Sequence, residues 1–307
     1  MPRHFLSLAD HTEQDLRDLI DLARMIKANP RAFRDACEGR TLAMIFTKPS
    51  LRTRVSFETG IYQLGGRGLY LGASDIQLHR GESIGDTATV LGRFVDGIMA
   101  RVHGHADVLE LAAKAHVPVI NGLSDFNHPC QVLADLLTIK EKLVTLEGKT
   151  LAYVGDGNNM SHSLMFGAAI MGMHMRIAHP AGYAPDADAV AWATARAAET
   201  GGSVEVTQDP RACVTGADAV YTDAWTSMGW EDEAEERTAR FQGFQVDEAL
   251  MALANRRALF LHCLPAHRGE EVSVGVIDGP QSVIFVQAEN RLHAQKAIMV
   301  KLMGHRH

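Results

Sequence analysis

The stretch "FTKPSLRTRVSFETG", residues 46 to 60, sets Lys48, Arg52 and Arg54 among Ser50, Thr53 and Ser56, directly after the apolar run "TLAMIF". Cations and small hydroxyls at a strand-to-helix handover are the parts of an anion site. The first helical turn there offers N–H groups with no partner in the helix and the positive end of the helix dipole. An arginine such as Arg52 adds two parallel charge-assisted hydrogen bonds to a phosphate or carboxylate, and Pro49 suits a helix start. The same residues also fit a capped helix with solvated arginines, and spacing alone weighs the two about evenly. GxxxxGK[ST] is absent, so this is not a P-loop.

Three other clusters have chemical potential. In "DFNHPCQVLAD", Pro129 marks a first helical turn and places His128 and Gln131 three residues apart on one face. That pair suits polarising a carbonyl while the amide holds its substituent, or else a capping histidine beside a surface glutamine. "YVGDGNNMSHS", residues 153 to 163, has Met160 where GxGxxG needs its third glycine, and the next apolar run ends in "IAHP" without an acidic residue. A nicotinamide site is therefore disfavoured. Asn158 and Asn159 there suit a substrate carboxylate or a plain turn. The last cluster pairs "TDAWTSMG" (222 to 229) with "LHCLPAHRGEE" (261 to 271): Asp223 could hold an ammonium group, and Cys263 could sit beside a reacting amine or be a small buried hydrophobe. His262, Cys263 and His267 lack convincing zinc spacing.

Positioning these clusters requires a repeated unit of short apolar run, polar or glycine turn, and helical stretch, the signature of βαβ units and parallel sheets. In the first half the strands fall at "TLAMIF" (41 to 46), "GLYLG" (68 to 72), "DGIMARV" (96 to 102) and "VPVING" (117 to 122). After a long amphipathic helix, "HPCQVLADLLTIKEKLV", the "TLEGK" segment breaks the pattern. A second series then runs through "TLAYVGDG", "MRIAHP", "SVEVT", "DAVYTDA" and "ALFLHCL". The expected fold is α/β with two domains, each a parallel β-sheet flanked by helices. Residues 1–145 form the first domain and 146–287 the second, and the C-terminal helix, about 288–307, packs back on the first.

With 37 acidic against 30 basic residues and a net charge of −7, the chain lacks the broad basic face that nucleic acid or anionic membrane requires. No run of about 18 apolar residues is present to span a membrane. Cys37, Cys130, Cys213 and Cys263 are scattered without a CxxC pair, which fits a reducing compartment better than a disulfide framework. The start lacks an apolar targeting region, and a cytoplasmic protein is expected.

Taken in order, "KPSLRTR", "HPCQVLAD", "GDGNNMSHS", "DAWTSMG" and "HCLPAHRGEE" resemble the ornithine carbamoyltransferase family, over about residues 4 to 304. The resemblance implies transfer of a carbamoyl group from carbamoyl phosphate to the δ-amine of ornithine, giving citrulline and phosphate, with no metal or organic cofactor. It also implies two domains that close on the substrates and an assembly built on trimers with a shared active site. By the same resemblance Ser50, Leu51, Arg52 and Thr53 form the phosphate turn, Arg101 is a further phosphate-site arginine, and His128 and Gln131 meet the carbamoyl group. Cys263, Leu264 and Arg291 line that site, and Gln77 is lent to the neighbouring subunit. Asn159, Asp223, Ser227 and Met228 match contacts to the amino-acid end. The reacting set is then Arg52, Arg101, His128, Cys263 and Asp223. Leu51 departs from the commoner threonine of the turn, while "SMG" favours free ornithine over acetylated substrates. Related amines such as acetylornithine or putrescine, a nucleotide-binding oxidoreductase, and a noncatalytic binding protein are the competing readings.

Overall fold

A computed structural model describes residues 3–74, 82–226 and 231–305. The chain divides into two compact units, Met1–Leu137 with Glu289–His307, and Thr138–Ala288. In the first, the strands β1 (Thr41–Phe46), β2 (Arg67–Gly72), β3 (Gly97–Arg101) and β4 (Val119–Leu123) lie parallel in the order β2-β1-β3-β4. Every residue of β1 and β3 is buried, as expected for central parallel strands covered on both faces. The helices are α1 (Glu13–Ala28), α2 (Leu51–Gln63), α3 (Ile84–Leu91) and α4 (His105–Lys114), and α5 (Pro129–Leu143) begins in this unit and runs past its end at Leu137. Ala43, Ile45, Ile98, Ala100, Val108, Leu111 and Val119 form one face of the core. Phe5 covers the β4 edge: its N–H donates to the Val119 carbonyl at 2.8 Å, and the Asn121 N–H donates to the Phe5 carbonyl at 2.8 Å.

The second unit carries β5 (Thr150–Val154), β6 (His174–Ala178), β7 (Ser203–Thr207), β8 (Ala219–Thr222) and β9 (Leu259–His262), parallel in the order β7-β6-β5-β8-β9. Its helices are α6 (Asn159–Ile170), α7 (Ala187–Thr200), α8 (Pro210–Val214), α9 (Ala234–Arg240), α10 (Glu248–Met251) and α11 (Val274–Ile277). Helix α6 is buried from Met160 to Ile170, which explains why its sequence shows no polar stripe. In both sheets the strand order reverses partway, between β1 and β3 in one and between β5 and β8 in the other. The carboxyl ends of strands flanking such a reversal open a crevice where ligands bind in open α/β sheets.

The last helix, α12 (Ile284–Met303), starts in the second unit and ends in the first. Within the first unit, Lys27 Nζ donates to Asn290 Oδ1 at 2.7 Å and Lys301 Nζ stands 3.6 Å from Asp18, both joining α12 to α1. Lys296, almost fully buried, donates to Gln63 Oε1 of α2 at 2.9 Å. Two parallel sheets flanked by helices, with the C-terminal helix packed on the first unit, are the architecture expected from the sequence.

One turn depends on the absence of a side chain. A Cβ on Gly157 would lie 2.2 Å from the Pro185 nitrogen and 2.3 Å from the Ala184 carbonyl carbon, both backbone atoms that cannot swing aside. Gly157→Ala should therefore lower stability by about 1–3 kcal/mol, the usual range for forced overpacking. Thermal unfolding checks this, and an unchanged midpoint would contradict the close approach.

Candidate active site

In the first unit the site grows from the ends of β1 and β3. Ser50 caps α2: its Oγ accepts the Thr53 N–H at 3.3 Å, while the N–H groups of Leu51 and Arg52 belong to the first turn, which the helix itself leaves unused. Leu51 is 76% exposed, so this position supplies the turn with its backbone rather than its side chain. The buried Thr53 hydroxyl is the meeting point. Ser50 Oγ lies 3.1 Å from it, Arg291 Nη2 donates to it at 2.8 Å, and Arg101 Nη1 donates at 3.5 Å. Arg101 is the last residue of β3 and Arg291 lies on α12, so two elements far apart in sequence aim guanidinium groups at one hydroxyl.

His128 precedes α5 and is buried. Burial first, then the positive charges of Arg291, Arg101 and Arg52, hold its imidazole pKa well below 6.5. A neutral imidazole surrounded by fixed cations keeps an N–H to offer a carbonyl oxygen without adding a fourth charge. Gln131, fully buried one turn on, donates from Nε2 to Asp135 Oδ1 at 2.8 Å.

In the second unit the adjacent strands β5, β8 and β9 deliver their next residues to one place. Asp223, after β8, is the hub: its Oδ1 accepts from the Ala224 N–H at 2.9 Å and from the Cys263 thiol at 3.0 Å, and its Oδ2 accepts from Asn158 Nδ2 at 3.3 Å. Asn158 is the N-cap of α6, accepting from the N–H groups of Met160 and Ser161 at 2.9 and 3.3 Å. Its carbonyl and amide are thus already used within the protein, whereas Asn159 begins the helix, half-buried. Beneath lies Tyr153, which donates to Asn158 Oδ1 at 3.4 Å; its burial pushes the phenol pKa well above 10, helped by Asp223 and Asp156, so it stays neutral.

The loop after β9 is held by a carboxylate that sequence reasoning did not single out. Fully buried Glu271 accepts from His262 Nε2 at 3.1 Å and from the His267 N–H at 2.6 Å, while His262 Nδ1 accepts the Leu264 N–H at 2.9 Å. These bonds clamp the segment in which Leu264 has φ +59° and precedes a cis peptide to Pro265. Arg237 does similar work on the other side: its Nη1 donates to Asp156 Oδ2 at 2.7 Å and to the Trp225 carbonyl at 3.1 Å.

The structure thus gathers Ser50, Arg52, Thr53, Arg101, His128, Gln131 and Arg291 in the first unit, and Asn159, Asp223, Cys263 and Leu264 at neighbouring strand ends of the second. Gln77, Ser227 and Met228 lie outside the described residues. Asp223, His262 and Cys263 present potential ligand atoms within 4.8 Å of one another. Both His262 nitrogens are committed to protein partners, which makes this a poor donor set for a metal.

Two family models match the chain: Aspartate/ornithine carbamoyltransferase, carbamoyl-P binding domain, over residues 3–141, and Aspartate/ornithine carbamoyltransferase, Asp/Orn binding domain, over residues 147–302. The chain belongs to the aspartate/ornithine carbamoyltransferase family. It is 58% identical to the ornithine carbamoyltransferase of Symbiobacterium thermophilum, with 98% of each chain covered. It is 56% identical to that of Thermococcus kodakarensis, over 98% of this chain and 96% of the relative. The solved ornithine carbamoyltransferase of Pyrococcus furiosus superposes with a TM-score of 0.95 at 54% identity, covering 98% of this chain and 96% of that one.

The charge arrangement around His128 has a direct test. Its folded pKa lies below the unfolded value, so the stability it contributes is complete above about pH 6.5 and is lost as pH falls through the lower folded value. In an NMR titration of the free protein, the His128 ring should show no protonation between pH 8 and about 6.5. A midpoint at or above 6.5 would contradict the arrangement.

Proposed function

We propose that the protein transfers the carbamoyl group of carbamoyl phosphate to the δ-amine of L-ornithine, giving L-citrulline and phosphate. The observation that carries this reading is the convergence of Arg52, Arg101 and Arg291 on neutral His128 beside the first turn of α2. A dianionic phosphate joined to a small carbonyl group matches that surface in charge and shape. Relatives at 56–58% identity that bear the ornithine carbamoyltransferase name support the assignment.

In this reading residues 1–145 with the C-terminal helix hold carbamoyl phosphate and residues 146–287 hold ornithine. Ser50, Leu51, Arg52, Thr53, Arg101 and Arg291 bind the phosphate, and His128 and Gln131 bind the carbamoyl group, with Cys263 and Leu264 lining the site. Asp223, Asn159, Ser227 and Met228 receive the amino acid. The neutral δ-amine attacks the carbonyl carbon, negative charge gathers on its oxygen, and the C–O bond to phosphate breaks as the proton shed by the new C–N nitrogen passes to the departing phosphate. Arg52, Arg101, His128 and the Thr53 hydroxyl stabilise that charge. Asp223 accepts hydrogen bonds from the α-ammonium of ornithine, and Cys263, hydrogen-bonded to Asp223, lies beside the reacting amine. No step calls for a metal or organic cofactor. A cytoplasmic homotrimer or multiple of trimers, in which Gln77 completes a neighbouring subunit's site, serves arginine biosynthesis or the catabolic arginine pathway in this account.

The test is citrulline formation from carbamoyl phosphate and ornithine by the purified protein, with acetylornithine, putrescine and aspartate assayed in parallel. Preference for ornithine is the expected result; activity only with another amine would overturn the substrate assignment. Arg52→Ala should lower kcat roughly a hundredfold or more, the usual cost of losing one donor to a developing oxyanion, about 3 kcal/mol. Its melting temperature should hold, because Arg52 is only half-buried at the start of a helix. Turnover close to the parent enzyme's would refute that assignment.

The amine itself gives a pH dependence. The δ-ammonium of ornithine titrates near a lysine, at roughly pH 10, so raising pH should speed the reaction by supplying the neutral nucleophile. Initial rates at subsaturating ornithine between pH 7 and 9 should rise, and a flat profile would contradict rate-limiting use of the free amine.

A further inference from the structure

Asp135 lies one turn beyond Gln131 on α5, and both side chains are fully buried. Gln131 Nε2 stands 2.8 Å from Asp135 Oδ1. In this pairing the amide nitrogen is the donor and the carboxylate oxygen the acceptor, so the NH2 group faces Asp135. Oε1 is left on the opposite edge of the planar group, and it is buried with no donor among the described residues. A buried acceptor in this state costs free energy until a donor reaches it.

This orientation bears on the carbamoyl-transfer reading proposed above and rests on it. A carbamoyl group and an acetyl group attached to phosphate differ little in size and not at all in charge. The first ends in NH2, which can donate to Oε1, and the second in CH3, which cannot. We propose that Asp135 is a specificity-determining residue: by locking the Gln131 amide with its oxygen toward the bound acyl group, it makes the site select an acyl phosphate that carries an N–H. Sites built to hydrogen-bond a substrate N–H reject analogues without it far more strongly than apolar pockets reject an extra methylene. Asp135 acts through Gln131 and touches no reacting atom in this account.

The test uses the full-length protein and begins with citrulline formation by the unaltered enzyme; its absence would remove the carbamoyl-transfer reading itself, before Asp135 is in question. Dissociation constants for carbamoyl phosphate, acetyl phosphate and inorganic phosphate are then measured by calorimetry without an amine. The unaltered enzyme should prefer carbamoyl over acetyl phosphate by roughly a hundredfold or more, and equal affinity would overturn the proposal. In Asp135→Asn the new amide can donate to Oε1, allowing the Gln131 amide to turn over. The preference should then collapse to within about tenfold, through weaker carbamoyl phosphate binding alone, with inorganic phosphate unaffected. A folded Asp135→Asn enzyme that weakens both acyl phosphates in parallel would show a merely structural carboxylate and overturn the proposal. If that variant does not fold, Gln131→Met carries the test: collapse of the preference supports Oε1 as the selecting atom, and a retained preference overturns it.

Discussion

Three guanidinium groups gathered around one buried, neutral imidazole repel each other, and the fold holds them together at a cost. Everything around the first site follows from that constraint. His128 stays neutral because it is buried and because a fourth charge would be added to three. Thr53 offers its buried hydroxyl oxygen to two of the arginines, and Ser50 takes the Thr53 N–H so that the helix start remains ordered. Such an arrangement is relieved by an anion, and the open first turn of α2 supplies more N–H groups for it. The sheet provides the geometry: β1 and β3 flank the reversal of strand order, so the first turn of α2 and Arg101 emerge side by side.

The second site uses the same device with opposite charge. Asp223 is the centre, and its three neighbours, Ala224, Cys263 and Asn158, orient both carboxylate oxygens. Glu271 and Arg237 touch none of these atoms directly yet hold the loops that bear them, through His262 and His267 on one side and Asp156 and Trp225 on the other. Glu271 accepts two hydrogen bonds at Oε1 and Arg237 donates to Asp156, Glu233 and the Trp225 carbonyl, which fixes one conformation of the loops.

Much of this was legible in the sequence, for definable reasons. Strands β1 and β7 fall on "TLAMIF" and "SVEVT" because short runs bounded by turn residues have little freedom to extend. Helix α12 begins at Ile284, before "AENR", since the apolar residues of "VIFVQ" suit a buried strand and a buried helix equally. Local spacing marks residues 50–54 as a candidate anion site on even terms with a capped helix, and only the ordered set of motifs tips the balance. Nothing local reveals that Cys263 donates to Asp223 forty residues away, because that contact depends on β8 and β9 being neighbours. Asp135 and Glu271 escaped notice because a carboxylate amid polar residues reads as solvated, and their burial is a property of the packing. Asn158 was grouped with Asn159, whereas only the structure separates a capping side chain from its neighbour at the helix start.

The central claim is that the first unit holds an anion site already formed before any amine arrives. Calorimetric titration of the free enzyme with carbamoyl phosphate alone, at low and at raised ionic strength, tests it most directly. The account predicts saturable binding of one equivalent per chain that weakens as salt rises. Absence of binding until ornithine is added would contradict it, because the cluster of arginines around His128 would then not be the preformed site described here.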